Sequence, residues 1–115
     1  MMAAKENYEY NEIGVCLNPS VIKLRSGRCA YFLKTSAQNG VWYAGYELFA
    51  DCDAGMCPCS CRARGHFLTQ KEAFRFAASK ALEFFNEKHY VSGNHVAFVK
   101  VPKDIFNGLQ NILVE

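Results

Sequence analysis

Residues 37–50 read AQNGVWYAGYELFA, and this stretch decides the fold. Asn39 and Gly40 both tolerate a positive φ, and Asn-Gly is the strongest short signal for a type I′ hairpin turn. After the turn, Trp42, Ala44, Tyr46 and Leu48 alternate with Val41, Tyr43, Gly45, Glu47 and Phe49. That period of two belongs to a strand, with the two sets on opposite faces of a sheet. Both faces carry aromatic residues. One face is expected to cover the core; the other is expected to be an interaction surface or to lie under a loop.

Working back from the turn, RCAYFLKTS reads as the preceding strand and VIKLR, residues 21–25, as the one before it, with Ser26 and Gly27 as the turn between them. Together these make an antiparallel meander. Working forward, Thr69 and Glu72 form a capping box: the Thr69 hydroxyl accepts from the Glu72 N–H, and the Glu72 carboxylate reaches back to Thr69. The helix that follows gathers Phe74, Ala77, Ala78, Ala81, Leu82 and Phe85 on one stripe, with Ala73 and Phe84 at its margin. Its alanines allow a close approach to the sheet. Ser92, Gly93 and Asn94 break the chain, HVAFVKV at 95–101 reads as a fourth strand, and Pro102 opens a short apolar helix weakened by Gly108.

The expected architecture is α+β: a meander of three to four strands packed against one long helix, plus a short C-terminal helix. Residues 1–11 are polar and expected to be flexible; residues 12–115 are expected to form a single domain, a normal size for 115 residues in all. The start of the chain, MMAAKENYEYNEIGV, has no apolar h-region, and no window approaches a membrane span. A cytoplasmic chain with reduced thiols and no membrane partner is the resulting expectation.

The order of GVWYAGYELF, a further strand and FLTQKEAFRFAASKALEFF is similar to the sheet followed by a T-x-x-E-A helix in HicB-like antitoxin domains. The similarity covers about half of the chain and implies a small partner-binding or regulatory protein. The cysteine-rich loop and the phenylalanine-rich helix depart from that pattern, and no site residue is carried over.

Chemistry concentrates in DCDAGMCPCSC, residues 51–61, where Cys52, Cys57, Cys59 and Cys61 are spaced C-x4-C-x-C-x-C. Four thiolates suit a structural zinc ion, the cofactor this loop suggests. Alternate side chains of an extended run stand about 7 Å apart, so shared ligation requires a bend at Gly55 or Pro58. His66 is the substitute ligand for a three-cysteine site. An unmetallated reduced loop fits the same residues, whereas disulfides need an oxidising compartment and iron–sulfur clusters use other spacings. A catalytic or redox thiol would need a lowered pKa, for which Arg62 and Arg64 are the nearby cations. Cys16 and Cys29 read as buried small hydrophobes.

The balance of 13 basic and 11 acidic residues is too even to imply nucleic acid on its own. Lys23, Arg25, Arg28 and Lys34 cluster in sequence, as do Arg62, Arg64, Lys71 and Arg75, and solvated faces account for both groups. No phosphate-cradling glycine loop, carboxylate dyad or Ser-His-Asp pattern stands out. The functional expectation is a non-enzymatic interaction or regulatory module, with a protein partner or a second copy met by Phe76, Trp42 and Tyr43. The alternative is a nucleic-acid-associated, antitoxin-like regulator using Arg62, Arg64, Lys71 and Arg75. A thiol-dependent redox protein is the third.

Overall fold

The computed structural model describes residues 7–49, 54–62, 65–86, 88–92, 95–98 and 102–114. The chain runs β1 (Ser20–Ser26), β2 (Cys29–Gln38), β3 (Val41–Phe49), β4 (Ala54–Cys57), α1 (Gln70–Asn86), β5 (Lys88–Ser92), β6 (His95–Phe98) and α2 (Lys103–Val114). β1 to β4 form one antiparallel sheet in sequence order. At the β2–β3 turn Gln38 pairs with Val41, and Asn39 and Gly40 carry φ of 55° and 78°, as a type I′ turn requires.

The sheet has a helix side and an outer side. On the helix side, Tyr31, Leu33 and Thr35 of β2 and Ala44 and Leu48 of β3 are buried beneath α1. Ala73, Ala77, Ala78 and Ala81 are fully buried, and their small side chains let the helix backbone settle close to β2 and β3. Side chains of Phe84 and Phe85 lie outside the described residues. α2 packs against α1 and β1 through Ile105 and Leu109. Gly108 faces Leu24, whose Cδ2 would stand 2.8 Å from an added Cβ, so the glycine that weakens the helix also seats it on β1.

Three differences from the sequence reading have physical causes. The fourth strand of the sheet is β4, inside the cysteine-rich stretch, where Ala-Gly-Met-Cys has little intrinsic strand preference and is held by its register against Tyr46–Phe49. The strand beginning at His95 pairs with β5 in a separate two-stranded sheet. In the capping box, Glu72 N–H donates to Thr69 Oγ1 (3.1 Å) as expected, but the Glu72 carboxylate accepts from the Leu68 N–H (3.3 Å), one residue before Thr69.

Candidate functional site: the outer face of the sheet

The outer side divides in two at Gly45. Beyond β4 the chain bends at Pro58 and crosses directly over β3. A Cβ on Gly45 would lie 2.4 Å from the Cys59 amide nitrogen, 2.7 Å from its Cα and 2.8 Å from the Cys57 carbonyl oxygen. Only glycine admits this crossing. Gly55, the other residue expected to bend the run, is instead extended in β4 opposite Leu48.

Past the crossing, Ser60 pairs with Val15, with Cys16 N–H donating to Cys59 O (2.8 Å) and Cys61 N–H to Gly14 O (2.9 Å). The partner is a tight N-terminal turn in which Asn11 Oδ1 accepts from the N–H groups of Ile13 (3.1 Å) and Val15 (2.9 Å). Within residues 7–11, two tyrosines bond to residues of the sheet. Tyr8 hydroxyl bonds Ser20 Oγ (2.8 Å) and Tyr10 hydroxyl donates to Ser36 Oγ (2.9 Å).

Beneath this cover the polar groups form a chain running in one direction. Tyr10 donates to Ser36, Ser36 Oγ lies 3.2 Å from Cys59 Sγ, and the Cys59 thiol donates to the Tyr43 carbonyl (3.6 Å). Since the thiol proton goes to the carbonyl, the Ser36 proton points to sulfur, and each proton is used once. Cys59 and Ser36 are 2% and 0% exposed. Burial pushes the Cys59 thiol up to about 11; the Ser36 hydrogen bond and the Lys34 charge pull the other way without reversing it. A nucleophilic thiol requires the opposite shift.

The three described cysteines of the run are placed differently. Cys57 is opposite Tyr46, on the helix side of the ladder, whereas Cys59 lies on the outer side against Ser36. Cys61 lies beside Gly14, where an added Cβ would stand 3.0 Å from its Sγ. Cys52 lies outside the described residues. His66 stacks edge-on against Tyr43, with centroids 5.4 Å apart. Among the described residues no three His, Cys, Asp or Glu side chains gather where one ion could be held. In this arrangement the register puts Cys57 and Cys59 on opposite faces of the sheet, which does not suit a shared ion.

The aromatic residues expected to meet a partner are engaged within the chain. Tyr43 is buried under the return segment. Trp42 exchanges backbone hydrogen bonds with Phe67 (2.8 and 2.9 Å) and meets the Tyr8 ring edge-on. Phe76, expected on the polar side of α1, is half-buried: Phe67 folds back over it at 5.1 Å and Lys80 Nζ lies 5.4 Å from its centroid. Helical periodicity gives no warning of this, because the cover comes from the segment ahead of the helix.

Of the second basic group, Arg62 bonds the Glu12 carbonyl (3.4 Å), and Lys71 and Arg75 lie on α1; Arg64 lies outside the described residues. Lys71 and Arg75 are thus on the helix layer, across the sheet from the outer-face aromatics. Cys16 and Cys29 are buried, as their apolar neighbours suggest.

The other half of the outer face carries exposed side chains. The register sets Lys23, Phe32, Glu47 and Met56 in one row across the four strands, and Arg25, Ala30, Phe49 and Ala54 in the next. Lys34 forms an ion pair with Glu47. Phe32 and Phe49 meet edge-to-face at 6.1 Å, and Lys23 Nζ stands 5.5 Å from the Phe32 centroid. Phe49 is 39% and Met56 67% exposed. The sequence places the basic residues near each other, but Met56 joins them only once β4 is a strand.

No protein-family model, curated protein or solved structure matches the chain, so no relative assigns either half of this face a role. No helix among the described residues is long and apolar enough to cross a membrane.

Proposed function

We propose that this chain is a small non-enzymatic binding module whose working surface is the open half of the outer face. The observation that carries the reading is the row arrangement: Phe32 and Met56 flank Glu47 in one row, Phe49 is diagonal to both in the next, and Lys23 and Arg25 border them. A lone exposed apolar residue is ordinary, but neighbouring ones rimmed by charge mark a contact surface. In this reading the cysteine-rich run is structural, with Cys59 pinning the return segment over the closed half. The raised pKa of that thiol is consistent with this and unsuited to catalysis.

The test compares the native chain with the double variant Phe49→Glu, Met56→Glu. Both side chains are exposed, so the double variant is expected to keep a cooperative melt. Tagged forms of each are exposed to cell extract, and the recovered protein and nucleic acid are measured beside light scattering for self-association. The native chain is expected to recover a partner or self-associate, and the double variant to lose that property. Identical behaviour of the two folded forms would remove the open face as the working surface.

A further inference from the structure

Resting on that reading, we infer that the open face binds single-stranded nucleic acid, with Phe49 as a stacking platform and Lys23 and Arg25 as phosphate contacts. Charge selects the partner first. Among the described residues, the outer-facing positions of this half carry Lys23, Arg25 and Lys34 against one carboxylate, Glu47, and that carboxylate is paired with Lys34. The two exposed cations, Lys23 and Arg25, alternate along the outer side of β1, an edge of the sheet. An anionic partner is therefore favoured.

Shape narrows the class. Phe49 is flanked in its row by Ala30 and Ala54, so the positions on both sides of the ring are low. Along that row a flat group lying over the ring meets only short side chains, while Phe32 and Met56 stand diagonal to it. Arg25 stands two strands away in the same row, about 10 Å at the usual strand spacing. This is the scale that separates a base from a nearby phosphate. Phe32, meeting Phe49 edge-on and approached by Lys23, holds the platform in place. Carboxylates of an acidic peptide would use the cations but give no use to the low-walled ring.

A single strand fits better than a duplex. Aromatic side chains stack on bases whose faces are free, which paired bases inside a helix do not offer. Stacking is also tolerant of sequence, so the expected preference is for unpaired strands over duplex, with little choice among bases.

The experiment is a fluorescence anisotropy titration of the full chain against labelled oligouridine and oligothymidine of about 12 nucleotides. It is run between about 50 and 200 mM salt, with the matching duplex and poly-glutamate as competitors. Binding is expected to weaken with salt, by a logarithmic slope of about −0.7 for each phosphate contacted. Phe49→Ala should lower affinity about tenfold or more. Lys23→Gln should lower it and remove about one contact from the slope. Circular dichroism and melting of each variant guard against loss of fold.

Absence of binding at low salt overturns the inference, as does unchanged affinity in folded Phe49→Ala. Poly-glutamate competing equally, with binding indifferent to Phe49→Ala, would reassign the face to acidic proteins. If oligonucleotides fail while the Phe49→Glu, Met56→Glu variant still loses a protein partner, this inference falls and the binding-module reading stands. If neither property depends on the face, both fall.

Discussion

Replacing Gly45 by alanine puts a methyl group into the place where the chain crosses β3. Its contacts would be 2.4 Å and 2.7 Å to backbone atoms of Cys59 and 2.8 Å to the carbonyl of Cys57. Ordinary carbon contacts fall at about 3.5–4.0 Å, so the crossing segment must lift by about 1 Å or more. Backbone, unlike a side-chain tip, has no alternative rotamer. Overpacking costs about 1–3 kcal/mol, and this site belongs at the upper end of that range. Alanine recovers about 0.4–1 kcal/mol by restricting the unfolded chain, leaving a net loss of about 2 kcal/mol. There is a ceiling, because the segment can detach instead. Detachment forfeits the two backbone hydrogen bonds to residues 14–16 and the bonds of Cys59 to Ser36 and Tyr43, at about 1 kcal/mol each. The assay is urea unfolding paired with alkylation of the native state, read cysteine by cysteine by mass spectrometry. Gly45→Ala should lower the midpoint and expose Cys59, which is protected in the native chain. Gly108→Ala is the control: its clash is with the movable end of Leu24, alanine adds helix preference, and Cys59 should stay protected. A Gly45→Ala chain with native midpoint and native Cys59 protection would refute the crossing.

Two further outcomes follow from the same geometry. The Cys59 thiol is raised from 9.0 to about 11 by burial, so the folded state holds this proton more tightly than the unfolded state does. Its contribution is complete below pH 9.0 and is lost as pH climbs to about 11. At 1.36 kcal/mol per unit the full span is on the order of 3 kcal/mol. The difference in unfolding free energy between native and Cys59→Ser should therefore shrink over that interval; a constant difference would place the thiol outside the buried chain of hydrogen bonds. For zinc, elemental analysis of untagged protein is expected to give well under one ion per chain, because Cys57 and Cys59 are on opposite faces of the sheet. A full equivalent, lost in Cys57→Ser, Cys59→Ser, would mean that the return segment rearranges to release Cys59 from Ser36.

Local chemistry made much of the fold legible. The Asn39–Gly40 turn and the alternation after it place three strands and sort the faces of β3 correctly, because both signals act over a few neighbouring residues. The alanine stripe of α1 is legible for the same reason. What escapes is whatever depends on a distant partner. Ala54–Cys57 becomes a strand only through its ladder with β3, and Phe76 is covered by Phe67 from outside the helix. The cysteine spacing suggested a common ion; the placement of Cys57 and Cys59 depends on a crossing over Gly45 that no ligand spacing reveals.

That crossing also divides the outer face into two halves. The return segment closes the half of the outer face that carries Ser36 and Tyr43, polar groups that need protein partners once out of water. Gly45 is the lowest point of β3 and fixes where the segment passes. Past it, toward Phe49, the outer side keeps Phe49 and Met56 exposed. Full burial of a phenylalanine or methionine side chain is worth about 1.5–3 kcal/mol, so the exposed parts of Phe49 and Met56 hold back a fraction of that from stability. A chain that uses four alanines to bring α1 down onto the other face can pack closely where packing is the end in view. Leaving two large apolar side chains beside lysine and arginine on this face is the arrangement that the proposed binding role would need.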